Sequence, residues 1–293
     1  MVKPSVGVGM AVYNGEQYIC QAIDSLLAQD YRNIELTISD NASTDKTQEI
    51  CLDYMQKDKR VKYYRNIDNI GALANFGKVF ELASGEYFMW ASHDDYWKPN
   101  YISSCLKAFE KSSNIVLSGA ECDCVDSRTG KLLFTDMGLS TVGLSPSGRF
   151  MHYKSILHNG RHQGGVFYGL HKRDVLQKVM PLQNVIASDH LLMFALCFQG
   201  EFATVNRKLM VKRMGGSSGS LKGISEAHGI KNPLLVYGTY LTREYMLDKV
   251  IFKSDKLKPL DKVWLVCWSL LHTFIVVCGR LWSIGYQKAS SWF

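Results

Sequence analysis

The chain of 293 residues is 46% hydrophobic and 21% charged, an ordinary folded composition that excludes a disordered tail, a collagen-like repeat and a disulfide scaffold. Its formal charge of +7 is uneven: residues 206–293 carry 14 Lys/Arg against 5 Asp/Glu and leave the first 205 slightly acidic. The 8 Cys include no C-x-x-C pair, which reads as buried thiols in a reducing compartment rather than as a zinc site.

Pro4 and several Gly interrupt the apolar residues at the N-terminus before a signal-peptide core forms, so the bulk of the chain is expected in the cytosol. Residues 5–12 are an apolar run closed by Tyr13-Asn14-Gly15, the pattern of a buried parallel strand ending in a tight turn. Ile19, Ala22, Ile23, Leu26 and Leu27 then recur at helical spacing. Ile34–Ile38 predicts a second strand running into Ser39-Asp40-Asn41, and several N-cap candidates precede a helix over Thr44–Lys57. A strand at Val61–Tyr64, a helix at Leu73–Ala83, a strand at Tyr87–Ala91, a helix at Tyr101–Lys111 and a strand at Ile115–Ala120 follow. Residues 135–165 read as loop-rich, Val166–His171 as a strand and Asp189–Gln199 as a helix. Lys212–Gly223 reads as a Gly/Ser-rich lid. Strands alternating with helices imply an α/β fold with a mostly parallel central sheet flanked by helices.

In open α/β sheets ligands sit beyond the carboxyl ends of the strands. The polar clusters fall there: Tyr13-Asn14, Asp40-Asn41, Asn66 to Asn69, and His93-Asp94-Asp95. Two adjacent carboxylates in one loop either cap the next helix or share a hard divalent cation, Mn2+ or Mg2+, completed by phosphate and water. Asp40 either caps a helix or accepts a hydrogen bond from the imide of a uracil-type base. Together these positions outline a pocket for a nucleoside diphosphate. His152, His158 and His162 are spaced too irregularly for a metal site.

The runs VGMAVYNGEQYICQAIDSLLAQDYRNIELTISDNASTDKT, NIGALANF and GEYFMWASHDDYW resemble the donor half of glycosyltransferase family 2, whose members have the GT-A fold. The resemblance covers residues 5–110 and continues more weakly through Gly164–Gly169 and Ala187–His190 to Lys212-Arg213. It implies an inverting sugar transferase with donor contacts at Val12, Tyr13, Asn14, Asp40, Asn69, Asn75 and Asp94, and a metal ligand at Asp95. His93 stands where many members have a third Asp, which leaves the metal ligand set open, and Ala74 where many have an Arg, so that phosphate contact is either missing or supplied by Arg65 or Arg213. Ser188-Asp189 matches the family's acidic pair, which leaves Asp189 as catalytic base or, alternatively, as a helix cap. Arg213 is either a diphosphate clamp or a solvated cation.

Residues 1–224 are expected as the GT-A catalytic domain, with 1–110 as the nucleotide-sugar half and 111–224 as the acceptor half. Residues 225–293 are expected as a helical extension. Val263–Cys278 carries no formal charge, four of the 6 Trp lie in the extension, and Lys249, Lys253, Lys256, Lys258 and Lys262 precede or enter the apolar run. Such a helix lies in a bilayer interface, spans it, or packs as a buried or homodimer-forming helix. The first placement puts the chain peripherally on the cytosolic face of the plasma membrane. The expected partners are a nucleotide-sugar donor, most readily UDP-linked, a glycan or lipid-linked glycan acceptor of the kind used in bacterial cell-surface polysaccharide assembly, and the membrane surface, with no nucleic acid. A nucleotidyltransferase and a non-catalytic membrane-docked protein of the same fold are the rival readings.

Overall fold

The structure, a computed structural model, describes residues 4–157, 165–182, 188–215 and 245–290, with side chains described through residue 274. Its first half alternates strand and helix as the sequence predicts: β1 (Val6–Val12), α1 (Ile19–Leu27), β2 (Ile34–Asp40), α2 (Thr47–Lys57), β3 (Val61–Arg65), α3 (Ala72–Leu82) and β4 (Tyr87–Ser92). A short β5 (Tyr96–Trp97), α4 (Tyr101–Phe109) and β6 (Ile115–Asp126) follow. The helix α2 starts at Thr47, later than Thr44: its N-cap residue is Lys46, without a side-chain cap, and the preceding Asp45 carboxylate accepts the Thr47 N–H at 3.0 Å and its hydroxyl at 2.5 Å.

The second half departs more from expectation. The stretch read as loop-rich, 135–165, opens on the end of β7 (Leu132–Asp136) and contains α5 (Pro146–Leu157). The helix α5 escapes a periodicity reading because its buried face includes Arg149 and Lys154 beside Phe150 and Tyr153. Both cations are satisfied inside: Arg149 donates to the Cys197 carbonyl at 2.6 Å and the Leu144 carbonyl at 2.8 Å, and Lys154 to the Ser269 hydroxyl at 2.5 Å. Val166–Tyr168 belongs to a 3-10 helix (Gly165–Tyr168), so the strand expected at Val166 is β8 (Leu170–Lys172), followed by α6 (Arg173–Gln177) and α7 (Ser188–Gln199). The strand β9 (Glu201–Met214) is 14 residues long and takes up Lys212–Met214, the start of the expected lid; residues 216–223 lie outside the described residues. The chain ends in α8 (Pro259–Ser290) after helical residues 245–253.

The sheet order is β3-β2-β1-β4-β8-β6-β9-β5, with β7 beside β6. Strands β3, β2, β1 and β4 are mutually parallel and β6 is parallel to β9, while β8 runs antiparallel to both β4 and β6. Alternation along each strand feeds two cores. Val8, Met10, Leu36 and Met89 face α1, α2 and α4; Phe88 and Trp90 face α3, α5 and α7. Trp90 stacks on Phe167 at 4.5 Å and donates its indole N–H to the Phe76 carbonyl at 3.1 Å, so both its apolar body and its polar handle are satisfied. Leu247, Ile251, Leu257 and Leu265 join this second core, so the C-terminal helices pack on the α5–α7 side of the sheet.

Candidate active site

Register aligns the strand ends that hold the site: Val12 pairs with Asp40, Asp40 with Arg65, and Ala11 with Ser92. The loops beyond them are stitched together. Asn14, in the left-handed region at φ 51°, donates its N–H to the Ser43 hydroxyl at 2.9 Å and accepts the Thr44 N–H at 2.8 Å. Gly15 N–H donates to Thr47 Oγ1 at 2.8 Å, and a Cβ at Gly15 would stand 2.7 Å from Val12 and 2.8 Å from His93, so only glycine lets the first and fourth loops approach. The Val12 carbonyl accepts the Asn41 N–H at 2.8 Å, and Tyr13 is 45% exposed at the rim.

Asp40 is fully buried. Its Oδ1 accepts the Ser43 N–H at 2.9 Å, and its Oδ2 accepts the Tyr63 hydroxyl and the Arg65 guanidinium, each at 2.6 Å. Arg65 also donates to the Ser43 carbonyl at 2.8 Å. The Arg65 guanidinium is thus held between the Asp40 carboxylate and the Ser43 carbonyl. Asn41, Asn66, Asn69 and Asn75 form one amide chain. Asn41 donates to Asn69 at 2.7 Å, Asn66 to Asn41 at 3.0 Å and to Asn75 at 3.1 Å, and Asn75 to the Ser39 carbonyl at 2.8 Å. Asn75 is 2% exposed and spends its polar groups on this chain, so it fixes the third loop rather than meeting solvent.

The acidic pair is brought against the far half of the sheet by β5, which pairs antiparallel with β9, Tyr96 opposite Val211. That pairing delivers Arg213: its N–H donates to Asp95 Oδ1 at 2.9 Å and its guanidinium to the Asp94 carbonyl and to Gln21 Oε1. The same guanidinium lies over Tyr18 at 4.5 Å and Tyr96 at 5.3 Å. Asp94 accepts the Ser92 hydroxyl. Asp95 is 1% exposed, and its Oδ2 has no hydrogen-bond partner. Burial, and then the charge of Asp94, push its carboxyl up to about 7. A buried carboxylate oxygen without a donor suits a cation that comes with its own ligands. Among the described residues no three His, Cys, Asp or Glu gather as a metal site, so a hard cation here would complete its shell with diphosphate oxygens and water.

Asp189 opens the first turn of α7 and accepts the His190 N–H at 2.9 Å. The Tyr168 hydroxyl is pushed well above the usual phenol range by burial and then by the charges of Asp95, Asp94 and Asp189. Lys212 lies over the Tyr168 ring at 4.8 Å. The residues gathered about these groups include Tyr168, Tyr18, Gln21 and Tyr63, which were not singled out from sequence, and Arg65, which was. Arg65 alone had a legible signal, a cation at the end of a strand beside Asp40. Of the three histidines, His152 is exposed on α5, and His158 and His162 lie outside the described residues.

The comparisons agree with this geometry. An uncharacterized glycosyltransferase of Rickettsia typhi is 39% identical over 135 residues, 45% of this chain and 41% of that protein. An uncharacterized glycosyltransferase of Haemophilus influenzae is 26% identical over 191 residues, 65% of this chain and 55% of that protein. The matched part is thus about half, or less, of these relatives' length. Among solved structures, S. aureus TarS in complex with UDP-GlcNAc superposes with a TM-score of 0.66 at 17% identity, over 91% of this chain and 71% of that one. The mannosyltransferase PcManGT from Pyrobaculum calidifontis, in complex with GDP-Man and Mn2+, superposes with a TM-score of 0.53 at 13% identity, over 94% and 81%. These likenesses establish the GT-A fold. The family model described as glycosyl transferase family 2 matches residues 7–176, more than half of the chain, and the chain belongs to that family.

Proposed function

We propose that the chain is an inverting glycosyltransferase that moves a sugar from a nucleoside diphosphate, UDP before others, to an acceptor hydroxyl. The observation that carries the reading is Asp95: a buried carboxylate with a free oxygen at the carboxyl edge of a parallel sheet, in a family 2 chain. UDP-GlcNAc in TarS and GDP-Man with Mn2+ in PcManGT support the donor class and the cation. The diphosphate sits against Asp94, Asp95 and Arg213, and the base lies between Tyr13, Asn14 and the Asp40 wall. Arg65, with its side chain 31% exposed, is the movable cover that must swing aside for a base imide to reach Asp40.

Asp189 takes the proton of the acceptor hydroxyl as that oxygen bonds to the anomeric carbon. The bond from this carbon to the diphosphate breaks on the opposite face, the nucleoside diphosphate leaves with the electron pair, and the configuration inverts. A divalent cation held by Asp95 would stabilise the charge on the departing diphosphate.

The helix α8 supports peripheral membrane contact. Leu260, Val263, Trp264, Leu270, Leu271 and Phe274 are each at least 50% exposed, and with exposed Cys267 they form one helical stripe. Leu265 and Ser269, on the opposite side, are fully buried against the catalytic core. Among the described residues no helix is long and apolar enough to cross a membrane. A helix anchored on one side and apolar on the other suits an interface, with Lys249, Lys253, Lys256 and Lys258 toward anionic headgroups. A screen of nucleotide sugars by release of the nucleoside diphosphate, with manganese or with EDTA, tests the reading. The expected result is release from a UDP-sugar that EDTA abolishes and manganese restores. Release from no donor, or release indifferent to EDTA, overturns it.

A further inference from the structure

Asp189 is half-buried in the first turn of α7, and among the described residues its carboxylate bonds only the N–H of its own neighbour, His190, at 2.9 Å. The direction of the carboxyl group is therefore set by the turn that carries it. Beside it the Ser188 hydroxyl, on a residue 1% exposed, has no hydrogen-bond partner and ties the turn to nothing. The tie is made by His190. The Tyr153 hydroxyl of α5 and His190 Nδ1 are hydrogen-bonded at 2.7 Å, across 37 residues of sequence.

Tyr153 is a fixed post for such a tie. It is 1% exposed, and its ring lies 4.8 Å from that of Phe194 and 6.1 Å from the His190 imidazole. One helical turn earlier, Arg149 donates to the Cys197 carbonyl at 2.6 Å, in the last turn of α7. Phe150 packs on Phe194 at 4.8 Å and Phe198 at 5.6 Å. On the other side, Lys154 is 2% exposed and donates to the Ser269 hydroxyl of α8 at 2.5 Å. The helix α5 is thus clamped to both ends of α7 and to α8, and a side chain locked by such packing can hold a partner within the tolerance that catalysis requires. Its neighbours Phe150, Phe194 and Phe198 show that phenylalanine suits this core. Tyrosine adds a hydroxyl, which is costly to bury unless it is bonded, and that hydroxyl meets His190.

We propose that Tyr153 is a positioning residue for the transfer step: through His190 it fixes the first turn of α7 and so aims the Asp189 carboxylate at the acceptor hydroxyl. His190 carries the link, since its N–H bonds Asp189 and its ring bonds Tyr153. The proposal rests on the reading of Asp189 as the base and deepens it with two residues that act on the base rather than on the donor. A base displaced by on the order of 1 Å slows proton transfer steeply. Donor binding, which the strand-end loops provide, is left as it was.

The test uses the full chain and measures transfer from a UDP-sugar to membrane-extract acceptors at saturating donor, beside UDP affinity by calorimetry with manganese. Tyr153→Phe should lower the transfer rate at least about tenfold, with donor KM and UDP affinity within about twofold of wild type. His190→Leu should do the same, and the double variant should lose no more than either single one, because both break one link. His190→Asn keeps a polar atom near the place of Nδ1 and should recover most of the rate. Tyr54→Phe, which removes an exposed hydroxyl bonded to Asp24 at 2.7 Å, should change nothing. UDP affinity also reports folding; if Tyr153→Phe loses it, His190→Leu against His190→Asn decides. An unchanged rate in Tyr153→Phe, additive losses in the double variant, or a loss in His190→Asn equal to that in His190→Leu would overturn the proposal. If the wild type releases UDP from no donor, or Asp189→Asn transfers at the wild-type rate, the reading of the base fails instead. If Asp189→Asn is inactive and Tyr153→Phe is as fast as wild type, only the positioning inference fails.

Discussion

Replacing Asp95 by Asn separates function from stability. The substitution keeps the shape, and its side-chain oxygen can still accept the Arg213 N–H at 2.9 Å. What it removes is a charge that burial and Asp94 oppose, having raised the carboxyl from 3.8 to about 7. A shift of that size is on the order of 4 kcal/mol held against the metal-free fold. The sign follows from the direction: the cost is absent below pH 3.8, grows as pH rises, and is complete above about 7. The new amide takes the oxygen's unpartnered position and costs about 1–3 kcal/mol. Asp95→Asn should therefore gain on the order of 1–3 kcal/mol in EDTA at pH 8, and should lose stability at about pH 3, below the range in which the charge cost acts. Urea melts at both pH values measure this. Manganese at a hundred times its Kd should then add about 2.7 kcal/mol to the wild type and nothing to the variant. A variant less stable than the wild type at pH 8, or stabilised equally by manganese, would make Asp95 a structural anchor for the Arg213 backbone and refute the metal assignment.

Three further outcomes are expected. Leu271→Glu on the exposed stripe of α8 should weaken binding to anionic vesicles by at least about tenfold in a sedimentation assay, because it removes an apolar contact and adds a repelled charge; unchanged sedimentation would count against the interface reading. His171 is fully buried, donates its Nε2–H to the Phe167 carbonyl at 3.0 Å, and is lowered from 6.5 to about 4 by burial. Its contribution is complete above pH 6.5 and is lost as pH falls, by about 3 kcal/mol at pH 4, and His171→Gln should flatten that part of the profile in urea melts. Arg65→Ala uncovers Asp40 while breaking a 2.6 Å ion pair; UDP affinity by calorimetry should rise or hold, and a large loss would make Arg65 a direct donor contact.

The first half of the fold is legible because each apolar period there runs unbroken between turn residues. The donor loops were legible for the same reason: a strand that ends must expose its next polar residues on one edge, so Asn14, Asp40 and Asp94-Asp95 converge once the strands are parallel. The second half hides its elements behind buried polarity. The inward Arg149 and Lys154 mask α5, and Asn206-Arg207-Lys208 interrupts β9, where the pairing with β6 shifts register. Long-range partners were the least legible. The bond from Arg213 to Asp95 spans 118 residues and depends on β5 pairing with β9. Likewise, sequence named Asp40 but not that Tyr63 and Arg65 would occupy its carboxylate, which follows only from the β2–β3 register.

The central claim is that Asp189 activates an acceptor over a donor bound elsewhere. Asp189→Asn, assayed side by side for UDP affinity by calorimetry and for sugar transfer to membrane-extract acceptors, tests it most directly. The account predicts UDP affinity within about twofold of wild type and transfer reduced by roughly a hundredfold or more. Transfer at the wild-type rate with UDP still bound would contradict it.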